Sequence, residues 1–90
     1  MSVEFEIIET TEYRKSIVKP HFAVLYPKIV DFVYPQLRRN PYFGPNIKKL
    51  KGELSAFYWY RIGSFRLLYH IEGDKTIVLM VTVTDRKDAY

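Results

Sequence analysis

Arg61 and Arg66 bracket a short turn, "RIGSFR", and the 90-residue sequence closes on "DRKDAY", Asp85 to Tyr90. These residue types suggest one chemistry. Arginine stays charged at any physiological pH and grips phosphate oxygens through a planar fork of donors. A phenol with a pKa of about 10 is a weak base at neutral pH, but nearby guanidinium groups favour the phenolate. Arginine plus tyrosine, without histidine or metal, is enough to cleave RNA. The tyrosine takes the proton of a ribose 2′-OH, which attacks the adjacent phosphate, and the arginines stabilise the charge that grows in the transition state. Arg61, Arg66 and Arg86 with Tyr90 are the candidates. "NIKKLKG" adds Lys48, Lys49 and Lys51, and Lys87 follows Arg86, so a phosphate backbone has several possible contacts. On spacing alone the plainer reading is the commoner one: strand-end arginines and loop lysines are solvated surface charges.

Composition narrows the alternatives. Ninety residues make one domain, residues 1–90, and an apolar share of 48% is enough for a real core. The net charge of +4 leans mildly toward anionic partners. With no cysteine there is no disulfide framework, thiolate nucleophile or Cys-based zinc site. His21 and His70 are isolated, and Asp85 and Asp88 lack a third ligand, so neither a metal nor any other cofactor is expected. No apolar run nears the roughly 20 residues of a membrane span, and "MSVEFEIIET" lacks a signal peptide's layout. The expectation is a cytoplasmic protein.

The elements that must position these residues follow from periodicity. "VEFEIIE" alternates Val3, Phe5 and Ile7 against Glu4 and Glu6, a strand with one buried face. "TTEYRKSIVK" offers Thr10 or Thr11 as an N-cap for a short helix burying Tyr13 and Ile17, closed by Pro20. Phe22 to Arg39 carries Leu25, Ile29, Phe32, Val33 and Leu37 at helical spacing. That second helix must start near Pro27 or kink at Pro35. "NPYFGPN" is a loop by composition. "AFYWYR", "FRLLYHI" and "TIVLMVTVT" read as three strands joined by turns at "IGS" and "EGDK". Phe57, Trp59 and Tyr69 read as core aromatics and His70 as a half-buried strand residue. The result is an α+β domain: an N-terminal strand, two helices, then an antiparallel sheet of three strands, with helices over one face. The pairing sets Arg61 and Arg66 at one turn.

"KKLKG" before the hairpin, "YRIGSFRLLY" across it and "DRKDAY" at the end together resemble the RelE/ParE superfamily of type II toxins. The resemblance is strong over residues 40–90, and the order of the N-terminal elements agrees. It implies the RelE-like fold and, for the RelE branch, a metal-independent endonuclease that cuts mRNA on the ribosome by the 2′-OH route. Its natural partner is a cognate antitoxin. By position, Arg66 resembles the phosphate-stabilising arginine, Arg86 the arginine after the last strand, and Tyr90 the terminal tyrosine of proton transfer. Arg61 resembles a supporting arginine, and the lysines contact the RNA backbone. Two positions depart from the pattern. Asp85 stands where many relatives have histidine, and Trp59 where many have arginine, changes that make the site less attractive to phosphate. A ParE-like poison of DNA gyrase, or a toxin that only binds its antitoxin, is the alternative.

Overall fold

The computed structural model describes residues 3–52 and 56–85. The chain order is β1 (Glu6–Glu9), α1 (Thr11–Ile17), α2 (Pro20–Ala23), α3 (Tyr26–Lys28), a π-helical turn (Ile29–Val33) and α4 (Tyr34–Arg39). There follow β2 (Ile47–Lys49), β3 (Phe57–Ile62), β4 (Phe65–Glu72), a 3-10 turn (Gly73–Lys75) and β5 (Ile77–Asp85). The described residues form one sheet of five strands in the order β1-β5-β4-β3-β2. β1 pairs with β5 in parallel, and the other pairs are antiparallel. The α+β class and the central hairpins agree with the sequence reading. β2, three residues long, is additional.

Each helix follows from local chemistry. Thr10 caps α1: its Oγ1 accepts from the Tyr13 amide at 3.2 Å and donates to the Met80 carbonyl at 2.6 Å. One hydroxyl thus satisfies a free helix donor and ties α1 to β5. Pro20 does not close α1, which ends at Ile17, but opens α2 from the first turn, where its missing N–H costs nothing. Pro27 does the same for α3. Pro35 explains the π turn. Its ring would crowd the carbonyl of Asp31 in an α-helix. The backbone widens instead, and the Tyr34 amide donates to Ile29 O, five residues back.

Tyr13, Ile17, Phe22, Ile29, Val33 and Leu37 pack from the helices against Tyr58, Tyr60, Leu67, Tyr69, Val78 and Met80 on one face of the sheet. Two residues expected on the buried faces of the first strand and the second helix are not there. Phe32 is 62% exposed because the π turn shifts the helical phase, and Val3, before the first residue of β1, is 64% exposed.

Phenols organise part of this core. Glu9 Oε2 accepts from Tyr26 Oη at 2.6 Å and from Tyr34 Oη at 2.7 Å. Tyr34 Oη also lies 2.9 Å from Tyr13 Oη. Tyr34 has one proton and gives it to the carboxylate, so the proton in that second contact is Tyr13's. Tyr69 Oη donates to Pro41 O at 2.8 Å, fastening the loop after α4. Burial, first among the causes, holds the Tyr13, Tyr34 and Tyr69 phenols well above the ordinary tyrosine range.

The sign of the pH effect follows. Below a pH of about 10 these phenols are neutral in both states, so their contribution to stability is fully present. Above it the unfolded chain releases protons that the folded chain keeps. Stability should therefore fall as pH rises, by about 1.4 kcal/mol per pH unit for each phenol held protonated. Tyr34→Phe should remove one such slope. At neutral pH it should cost about 1–3 kcal/mol, because Tyr13 and Glu9 each lose a partner. Urea melts at neutral and alkaline pH measure both; an unchanged slope would mean that Tyr34 ionises freely in the fold.

Candidate functional site

The turn between β3 and β4 has two residues, Gly63 and Ser64. Gly63 has φ +59° and Ser64 has a negative φ, the pattern of a type II′ turn, which matches the twist of the strands it joins. Such a turn fixes the register, pairing Ile62 with Phe65 and Arg61 with Arg66. Like charges directly opposite on a strand pair are unfavourable.

Alternation then divides the sheet. Tyr58, Tyr60 and Ile62 face the helices, leaving Phe57, Trp59 and Arg61 on the open face. Across from them on that face lie Arg66, Leu68 and His70 of β4. β2 extends the open face at its edge, with Lys48 paired to Trp59. The Arg61 amide donates to Asn46 O at 2.8 Å, fixing the start of β2 beside the arginines. The result is a pocket of about 270 Å³ lined by Pro45, Asn46, Ile47, Lys48, Trp59, Arg61 and Arg66. Three of these residues are cationic and none is a carboxylate.

The structure thus brings Lys48, Arg61 and Arg66 together, and it separates the other two lysines. Lys49 pairs with Tyr58 in the row that alternation gives to the helix side. With Leu50, Lys51 and Gly52 it borders a different, shallow depression. Expected as core, Phe57 and Trp59 are instead half-buried on the open face, whereas Tyr69 is fully buried. The His70 ring lies 4.8 Å from that of Phe57. Trp59 Nε1 is buried without a hydrogen-bond partner among the described residues. Arg86, Lys87 and Tyr90 lie outside the described residues. The register nevertheless shows where β5 ends: Thr84 pairs with Arg66 and Asp85 with Phe65. Alternation assigns Asp85 to the row of Phe65 and Val83, next to the arginine row.

Pro45 read only as part of the "NPYFGPN" loop, and Asn46 and Ile47 only as the lead into the lysines of "NIKKLKG". "IKK" does not alternate, so no local pattern marked this strand. A second cleft, of about 440 Å³, includes Glu9, Arg14, Tyr26, Tyr34 and Arg38. Its carboxylate already accepts from two phenols, so this cleft reads as structural. Among the described residues no three His, Cys, Asp or Glu side chains group as a metal site requires, and no helix is long and apolar enough to cross a membrane.

No family model matches the sequence. The chain is 33% identical over 81 residues to Toxin RelG of Mycobacterium tuberculosis, an alignment that covers 90% of each protein. A chain of the RelBE2 toxin–antitoxin complex of M. tuberculosis superposes with a TM-score of 0.74 at 29% identity, covering 98% of both chains. The YoeB/ParE toxin of Agrobacterium tumefaciens shares the fold, with a TM-score of 0.68 at 17% identity over 90% of this chain and 98% of that one. Fold, length and sequence agree, and the chain belongs to the RelE-like family of type II toxins.

Proposed function

We propose that this toxin is an endoribonuclease that cuts mRNA on the ribosome, in the cytoplasm, without a metal, and that a cognate antitoxin neutralises it. The observation that carries the reading is the Arg61–Arg66 pair, set by the hairpin turn into one pocket with Lys48. Thr84 of β5 pairs with Arg66, and Arg86, Lys87 and Tyr90 join the reading through the resemblance of "DRKDAY". In the proposed reaction Tyr90 takes the 2′-OH proton and the 2′ oxygen attacks phosphorus. The 5′ oxygen then leaves and takes up a proton, giving a 2′,3′-cyclic phosphate and a 5′-hydroxyl. Arg66 and Arg86 bear on the phosphate oxygens as their charge grows, with Arg61 in support. Lys48 holds the backbone beside the pocket, while Lys49, Lys51 and Lys87 add charge around it. Complexes such as RelBE2 support the antitoxin as partner, and a basic surface suits an acidic or amphipathic segment.

The two histidines, His21 on α2 and His70 on β4, belong to different elements and are not read as a self-sufficient acid and base. The ribosome must therefore orient the substrate, which can supply much of the barrier reduction. The isolated protein should therefore leave naked RNA nearly intact and cut the same message on ribosomes, with chelator present. Mapping of RNA ends after mixing with and without ribosomes tests this. Efficient cutting of naked RNA would remove the ribosome from the mechanism. Intact message beside gyrase-dependent DNA breaks would replace the nuclease with a gyrase poison.

A further inference from the structure

The proposed reaction uses the arginines of the pocket and leaves Trp59 without a role. Trp59 sits on the open face of β3, next to the edge strand, between Lys48 of β2 and Leu68 of β4. One step along the same face is Arg61, and one step the other way is Phe57 with the ring of His70 against it. Same-face residues on a strand are about 6.5 Å apart, a spacing comparable with that between the phosphate and the base of one nucleotide. The open face therefore runs from two guanidiniums, through an indole, to a second pair of rings. Among the described residues no helix packs on this face, and Trp59 is half-buried there. It forms one wall of the cationic pocket.

We propose that Trp59 is the platform on which a nucleobase of single-stranded RNA stacks while Arg61 and Arg66 hold a phosphate of the same strand. The proposal rests on the nuclease reading and adds a base requirement to a site that otherwise recognises only backbone. Every base has a π face, so stacking here tolerates sequence but rejects a strand without bases. It also offers a physical account of an indole at a position where a further cation would have served phosphate alone: part of the binding is moved from charge to stacking.

Trp59 is the single tryptophan of the chain, so its emission reports on this pocket alone. The test titrates the 90-residue protein, freed of antitoxin, with a short end-labelled RNA made uncleavable by 2′-O-methylation. A strand of the same length with abasic sugars is titrated in parallel. Label anisotropy reads binding, and tryptophan emission reads the platform. The base-bearing strand should quench emission with the midpoint seen by anisotropy, and the abasic strand should bind more weakly and leave emission unchanged. Trp59→Ala should weaken binding of the base-bearing strand by about 5- to 150-fold and leave the abasic strand unaffected. Trp59→Phe, which keeps an aromatic face, should recover most of the loss. Equal binding of the two strands, or binding without a change in emission, overturns the platform and leaves the nuclease standing. Failure of both strands to bind overturns the platform and the RNA reading together. If Trp59→Ala does not fold, the two titrations of the unsubstituted protein decide by themselves.

Discussion

Tyr90→Phe should lower ribosome-dependent cleavage by about 10²–10⁴-fold, the usual worth of a positioned general base. The substitution keeps the ring and deletes the titrating oxygen, so the thermal melt and antitoxin binding should hardly change. Arg86→Ala should cost at least as much, since it removes charge from the transition state and a group that favours the phenolate. The two losses should be less than additive because both residues act through one unit. Both lie outside the described residues, and their roles come from the resemblance of "DRKDAY" to the end of RelE-like toxins. Toxicity in cells, scored beside a melt of each variant, is the measurement. Full toxicity of a folded Tyr90→Phe protein would remove the phenol from the chemistry and favour gyrase as the target.

The centre of this site was legible because a local rule applies there. Gly63 supplies the positive φ of a two-residue turn, which sets the register of β3 on β4. "FYWYRI", by contrast, is aromatic on both faces, so its alternation did not reveal that Tyr58 and Tyr60, rather than Phe57 and Trp59, are the buried row. Once that register is fixed, Arg61 must face Arg66. β2 obeyed no comparable rule. A three-residue edge strand with two lysines has the composition of a charged loop, and only its pairing with β3 makes it a strand. That pairing also separates Lys48 from Lys49, because adjacent strand residues point to opposite faces. Phe32 was misplaced for a different reason. The helical count assumed 3.6 residues per turn across Asp31, and the widened turn before Pro35 changes the phase. Glu9 shows the limit most plainly, since its two phenol donors come from residues 17 and 25 positions away.

Arg66→Ala should reduce ribosome-dependent cleavage by about 10²–10³-fold, the loss expected when one preorganised donor to a developing oxyanion is removed. Arg66 is half-buried on the open face, between Arg61 on β3 and Thr84 on β5, with the pocket beside it. Arg66→Lys keeps the charge but loses the fork that meets two phosphate oxygens at once, so it should recover only part of the rate. Arg61 is exposed at the hairpin end, where solvent screens its field. Arg61→Ala should therefore cost less, about ten-fold, in keeping with a supporting role. The two arginines also oppose one another across the strands. Removing Arg61 relieves that repulsion, so the Arg61→Ala protein should be as stable as the parent or more so, by about 0.2–1 kcal/mol. A loss of activity with no loss of stability is the signature of a residue kept for chemistry. Two solvated surface charges would give neither effect. Single-turnover cleavage on programmed ribosomes, with a urea melt of each variant, measures both, and an undiminished rate in a folded Arg66→Ala protein would take the cationic pocket out of the mechanism.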